Sequence, residues 1–93
     1  MVTVVNLRKE RADIPVCRPT IYGNPYMVAK NRNEAILMFA EFFYSERGRE
    51  LRHKALAEIP FNAKLGCHCA PERCHADIIA GYINWKNSAG ELK

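Results

Sequence analysis

Three of the four cysteines and two of the three histidines of this chain lie in one short stretch, residues 65–77, which reads L-G-C-H-C-A-P-E-R-C-H-A-D. The residues leading into this stretch predict a strand, and the apolar spacing after it predicts a helix. The stretch is therefore expected to be a strand–turn–helix connection. Because ligands bind beyond the carboxyl ends of the strands in open α/β sheets, the sequence predicts that any chemistry of the chain lies in this turn.

The rest of the sequence predicts a single small α/β domain of two or three layers, with about three strands, a helical crossover and a C-terminal helix. Strands are predicted at residues 2–7, 14–17 and 63–69, and helices at 31–45, 49–59 and from 74 or 75 to 85. The six residues between the first two strands are too few for a parallel crossover, which needs about a dozen. We therefore expect these strands to form a hairpin or to be offset pieces of one edge. The domain is predicted to span residues 1–86, with a flexible tail over 87–93.

Capping residues and apolar spacing define the helices. Asn31, with Glu34 three residues later, is typical of a helix start, and Gly48 and Pro60 are expected to end the first two helices. The spacing predicts these buried positions, in chain order: Ile36, Leu37, Phe39, Ala40, Phe43, Tyr44, Leu51, Ala55, Leu56, Ile59, Ile78, Ile79, Tyr82 and Ile83.

The composition of the 93-residue chain indicates a globular cytoplasmic protein. Hydrophobic residues at 48% argue against disorder, and no apolar run approaches the roughly 18 residues that cross a bilayer. The N-terminus lacks the basic segment of a signal peptide, and cysteines without such a signal indicate the cytoplasm, or the host cytoplasm for a phage protein. The net charge of +4 favours a phosphate-bearing small molecule or nucleic acid as partner. No membrane partner is expected, and the small core is compatible with a homodimer.

The predicted geometry of the turn gives its polar residues distinct positions. Strand alternation places Cys67 and Cys69 on one face and His68 on the other. Cys74 lies where the helix begins, and a helix N-terminus is expected to lower the pKa of a thiol. His75 follows it directly and can act as an acid or a base.

Three interpretations of the turn remain open. The first is a zinc site formed by Cys67, Cys69, Cys74 and His75, although this spacing differs from that of the usual zinc knuckles. The second is an active site with Cys69 or Cys74 as the reactive thiol and His75 as the acid/base. Asp77 would then orient His75 or cap the helix. The third is a group of buried thiols that only pack.

The loop at residues 18–26 is the predicted opposite wall of the site. If the second strand runs parallel to the third, Arg18 lies beside the cysteine turn and can bind a phosphate bidentately. Tyr22 and Tyr26 flank a Gly-Asn-Pro turn. They either provide a surface for base stacking or cap the core margin.

Two motifs together resemble the bacterial and bacteriophage family called domain of unknown function 4326. They are R-P-T-I-Y-G-N-P-Y at residues 18–26, and L-G-C-H-C-A-P with C-H-A-D at residues 65–77. The resemblance covers nearly the whole chain. The family pattern has a glycine before the arginine and an aromatic residue between the first two cysteines, where this chain has Cys17 and His68.

The resemblance brings no established reaction. It implies a setting in phage or bacterial nucleotide and DNA metabolism. It also implies a recurring site, whose members here are Arg18, Asn24, Cys69, Cys74 and His75.

The sequence thus favours a pocket between the arginine loop and the cysteine turn that binds or acts on a phosphate-bearing ligand such as a nucleotide. The alternative is a non-catalytic module, stabilised by zinc, that binds nucleic acid or protein. The residues alone do not decide whether the chain is an enzyme.

Overall fold

A computed structural model of the chain describes residues 1–17, 20–24, 31–68 and 74–91. In this part, strands β1 (Thr3–Asn6), β2 (Ile14–Pro15) and β3 (Lys64–Cys67) form one sheet in the order β1-β3-β2, with both pairs parallel. Helices α1 (Arg32–Tyr44) and α2 (Arg49–Glu58) connect β2 to β3, and α3 (His75–Glu91) follows β3. The predicted α/β class, three strands, helical crossover and C-terminal helix are confirmed.

The first two strands lie on opposite sides of β3, so the expected hairpin and the expected single edge are both wrong. The register explains how a short connection suffices. Asn6 at the end of β1 is level with Cys67, while Ile14 at the start of β2 is level with Leu65. The chain therefore moves back by only two positions along β3, a distance of roughly 7 Å, and needs no helix to do so.

The connection between β1 and β2 crosses β3 directly above Gly66. A Cβ atom added to Gly66 would lie 2.5 Å from the Leu7 Cδ2 atom and 2.6 Å from the Ala12 Cβ atom. On each side of the crossing the backbone joins β3, since Leu7 N–H donates to the Cys67 carbonyl at 2.8 Å and Asp13 N–H to the Lys64 carbonyl at 2.9 Å. The connection can therefore pass this close to β3 only because Gly66 has no side chain.

The three helices cover the other face of the sheet and form the core with it. The largest fully buried side chains include Phe39 and Phe43, whose rings stack with centroids 5.6 Å apart. Tyr82 of α3 meets the Phe43 ring edge-on at 5.4 Å. Leu65 contributes to the same core from β3, so the helices and the central strand share one apolar interior.

The buried face of α1 is narrower than the spacing predicts. Ile36, Phe39 and Phe43 are buried, whereas Leu37 and Tyr44, expected in the same face, are exposed. On α2, Ala55 is buried as expected but Leu56 is exposed. The misassigned residues directly follow buried ones, so each is rotated by about 100° away from the core.

The helix ends follow the sequence at α1 and α2 but not at α3. The Asn31 side chain accepts a hydrogen bond from Glu34 N–H at 2.9 Å, which confirms the predicted cap. Helix α3 continues to Glu91, past the expected end at residue 85, so residues 87–91 of the predicted tail are helical. The domain boundary at residue 86 stays a prediction. Within the described residues, no helix is long and apolar enough to cross a membrane.

The change Gly66→Ala is expected to lower the free energy of unfolding by about 1–3 kcal/mol, the usual cost of overpacking, because the new methyl group would displace Leu7 and Ala12. Denaturant unfolding measures it. The control is Gly81→Ala in α3, where an added Cβ meets no atom within 4 Å. There, a gain of about 0.5–1 kcal/mol is expected. A Gly66→Ala protein as stable as the wild type would contradict this account of the crossing.

Candidate functional site

The candidate site lies at the carboxyl ends of β2 and β3, where α3 begins. Asp77, in the first turn of α3, accepts a hydrogen bond from Cys74 N–H at 2.9 Å, and its own N–H donates to the Cys74 carbonyl at 3.1 Å. The Cys74 thiol also has a hydrogen bond with the backbone of Ala76. Cys74 is therefore the residue that starts the helix, and Asp77 closes its first turn. Of the two roles considered for Asp77, the structure shows the cap.

Two thiols meet beneath this helix start. Cys67 Sγ, on the core face of β3, lies 3.2 Å from Cys74 Sγ, and both side chains are buried. Burial raises the pKa of the Cys74 thiol, and the neighbouring Cys67 adds to this increase, whereas the Ala76 backbone acts in the opposite direction. The expectation of a lowered pKa at Cys74 is therefore wrong, because desolvation outweighs the effect of the helix N-terminus.

His75 joins α3 to the end of β2. Only 9% of its surface is exposed, and its Nε2–H group donates to the Val16 carbonyl at 2.6 Å. The Phe39 ring packs edge-on against the imidazole with centroids 5.2 Å apart. Burial lowers the pKa of His75, while backbone hydrogen bonds to Val16 and Tyr22 oppose this shift. Burial therefore favours the neutral imidazole, and the hydrogen bond to Val16 holds the ring against the end of β2.

The two described ligand-binding candidates of the predicted opposite wall make contacts with the helices. Tyr22 is only 5% exposed, and its hydroxyl donates to Glu58 Oε1 on α2 at 2.8 Å. Burial and this carboxylate raise the pKa of Tyr22. Asn24 Nδ2 donates to the Ala35 carbonyl on α1 at 3.2 Å. In this arrangement Tyr22 belongs to the core margin, and a base-stacking role would require it to leave that position.

Of the other predicted site residues, some lie near the sheet edge, and some lie outside the described residues. Cys17 is half-buried, and its carbonyl accepts hydrogen bonds from Thr20 N–H at 3.0 Å and Thr20 Oγ1 at 2.7 Å. His68 is exposed, while its neighbour Cys67 points into the core, as strand alternation predicted. Three predicted site residues lie outside the described residues: Arg18, Tyr26 and Cys69. The condition set for Arg18 is met, because β2 runs parallel to β3.

The predicted zinc ligands come together only in part. Among the described residues, no group of three His, Cys, Asp or Glu side chains could hold a metal ion. Cys67 and Cys74 offer two adjacent sulfurs, but His75 Nε2 is held by the Val16 carbonyl. The described residues therefore fit a pair of thiolate ligands, and a site that includes His75 would first require that hydrogen bond to break.

Sequence reasoning missed the partners that hold the site in place. Glu58 binds the Tyr22 hydroxyl across 36 residues of sequence, and the Val16 carbonyl binds His75 across 59. A backbone carbonyl leaves no trace in the sequence. Glu58 carries only a weak signal, as a carboxylate in the last turn of a helix, where acidic residues are disfavoured by the helix dipole.

Fold and site together describe a small parallel α/β domain with a pair of buried cysteines, Cys67 and Cys74, at the carboxyl edge of its sheet. The chain belongs to the family described as domain of unknown function (DUF4326), whose model matches residues 4–85. It is 37% identical over 83 residues to the "Uncharacterized 12.4 kDa protein in nrdA-td intergenic region" of Enterobacteria phage T4, covering 87% of this chain and 76% of that protein. No solved structure matches the chain.

The stability of the domain is expected to fall as the pH is lowered from about 6.5 towards 5. The pKa of folded His75 lies below its ordinary value, so the unfolded chain takes up this proton first and acid favours unfolding. The slope from this one group can reach ~1.4 kcal/mol per pH unit. Denaturant unfolding between pH 5 and 7.5 measures it.

The matched variants for this prediction are His75→Asn and His53→Asn, since His53 is exposed on α2. His75→Asn should flatten the slope more than His53→Asn does. If His75→Asn is too unstable to study, NMR titration of the wild-type imidazole gives its pKa directly. A value of 6.5 or above for His75 would contradict the prediction.

Proposed function

We propose that the carboxyl edge of the sheet binds a phosphate-bearing ligand such as a nucleotide, between residues 18–26 and the cysteine turn. The observation that carries the proposal is the junction of three chain segments. The ends of the adjacent parallel strands β2 and β3 meet the start of α3, and the 2.6 Å hydrogen bond from His75 to Val16 fixes them. Ligands of open α/β sheets bind at such an edge.

The expected anion contact is Arg18, the residue after Cys17, in a chain whose net charge is +4. A guanidinium binds phosphate oxygens through two parallel hydrogen bonds. At the start of α3 the Cys74 N–H group already donates to Asp77. The proposal therefore assigns the phosphate to Arg18 rather than to this N–H group.

The proposal concerns binding and assigns no reaction. A thiol with a raised pKa is protonated at neutral pH and is a poor nucleophile. Cys74 is such a thiol, and His75 Nε2 is engaged with a backbone carbonyl. In this proposal both residues form the inner wall of the site, and the groups that contact the ligand come from its rim.

The test compares Arg18→Gln with Arg49→Gln in calorimetric titrations of inorganic phosphate and of nucleoside mono- and triphosphates. Both changes remove one positive charge, and Arg49 is an exposed residue on α2 paired with Glu46 at 3.4 Å. The wild type should bind at least one nucleotide. Arg18→Gln should weaken binding about tenfold or more, as expected for a lost hydrogen bond to a charged group, and Arg49→Gln should not. Equal binding by the two variants would overturn the proposal.

The second candidate is a metal-stabilised binding module for nucleic acid or protein. The 3.2 Å separation of Cys67 Sγ and Cys74 Sγ favours it, and Cys69 follows Cys67 by two positions in the sequence. A zinc ion stabilises thiolates strongly, so it would deprotonate Cys74 despite the raised pKa of the free thiol.

Native mass spectrometry with and without a chelator tests this candidate, together with thermal unfolding of both forms. A module of this kind should carry one zinc ion, lose it in the chelator and then unfold at a lower temperature. Cys74→Ser should abolish zinc binding, and Cys17→Ser, which alters a cysteine outside the thiol pair, should retain it. If the protein carries no metal and its unfolding temperature is the same with and without the chelator, the metal-stabilised module is ruled out.

A further inference from the structure

The connection between β1 and β2 is a well-fixed loop on the sheet face that the helices leave uncovered. Lys9 N–H and Glu10 N–H both donate to the Asn6 carbonyl, at 2.9 and 3.0 Å, and Arg8 N–H donates to Asn6 Oδ1 at 2.9 Å. At its far end, Asp13 Oδ2 accepts a hydrogen bond from the backbone N–H of Lys64 at 2.8 Å. The loop is thus held at its start by hydrogen bonds to Asn6 and at its end by hydrogen bonds between Asp13 and Lys64.

Some charged side chains of this loop have an ion-pair partner in the described part of the chain, and others do not. The carboxylate of Glu10 is paired with Lys64 Nζ at 3.1 Å. Arg8, Lys9 and Arg11 are exposed, and none of them has an ion-pair partner in the described part of the chain. Three cations within four consecutive residues therefore face solvent from a loop whose one intervening acid is already neutralised.

The surroundings of these cations suit an extended anion. Residues 7–12 and Pro15 line a shallow hollow on the surface. One DNA strand carries a phosphate every ~3.4 Å of helix axis. Three cationic side chains from adjacent positions can therefore contact more than one phosphate. The entropic cost of ordering the backbone has already been met by folding, which favours binding.

We propose that this loop binds the phosphate backbone of nucleic acid, independently of base sequence. The cationic side chains supply the contacts, and counterions released from the nucleic acid drive association. This surface is distinct from the candidate site at the cysteine turn. The loop covers Gly66, whereas the next residue, Cys67, lies on the opposite, helix-covered face of β3.

The experiment measures fluorescence anisotropy of a labelled 20-base-pair duplex and of a 20-nucleotide single strand, each at a series of KCl concentrations. The test protein carries Arg8→Gln, Lys9→Gln and Arg11→Gln. The control carries Arg47→Gln, Arg49→Gln and Lys86→Gln, which remove the same charge from exposed positions elsewhere. Thermal unfolding of each protein confirms that it is folded, and Arg11→Gln alone serves as a second, milder variant.

The wild type is expected to bind the duplex with a salt-dependent affinity. The loop variant should bind at least tenfold more weakly at low salt, with a slope of log K against log salt reduced by about 2.7 for three lost phosphate contacts. Arg11→Gln should reduce that slope by about 0.9, and the control triple should keep it unchanged. No binding by the wild type, equal losses in both triples, or equally tight binding of polyglutamate would each overturn the proposal.

Discussion

The fold depends on how closely one loop can approach the central strand. Leu7 and Ala12 occupy the space in which a side chain at Gly66 would stand, so the β1–β2 connection crosses β3 in contact with its backbone. The crossing places β1 and β2 on opposite sides of β3 with all three strands parallel. Parallel strands bring their carboxyl ends to one edge of the sheet. The close approach over Gly66 therefore also determines that the ends of β2 and β3 lie side by side.

A second constraint is that the polar residues at that edge form hydrogen bonds within the protein. Cys67 contacts Cys74, the Cys74 N–H group is bound by Asp77, and His75 donates to Val16. Residues that resemble a reactive cluster in the sequence thus form hydrogen bonds that hold the strand–turn–helix together. Buried polar groups without partners would cost roughly 1–3 kcal/mol each, so these pairings are energetically significant. In the proposed site they would form the inner wall, and the ligand contacts would come from residues outside it.

The sequence was sufficient for the features that depend on local pattern. The Asn31 cap, the two helices between β2 and β3, the strand–turn–helix connection and the family could all be predicted from spacing and motif. The orientation of β2 could not, because its two residues carry no pattern and its register depends on Gly66. The direction of the Cys74 pKa shift was also inaccessible, since it depends on burial by residues distant in sequence. Arg18, Tyr26 and Cys69 lie outside the described residues, so their predicted roles stay predictions.

The Asp77 cap at the start of α3 affects how an anion could bind at the sheet edge. A free helix N-terminus attracts phosphate through its N–H groups and its dipole. Here the first turn carries the Asp77 carboxylate, which takes the Cys74 N–H group and places a negative charge beside the helix end. An anion would therefore need side chains that reach the edge from loops. In the sequence, Arg18 follows the end of β2 by three residues. In the proposed site, phosphate recognition at this edge would thus depend on Arg18 rather than on the helix dipole.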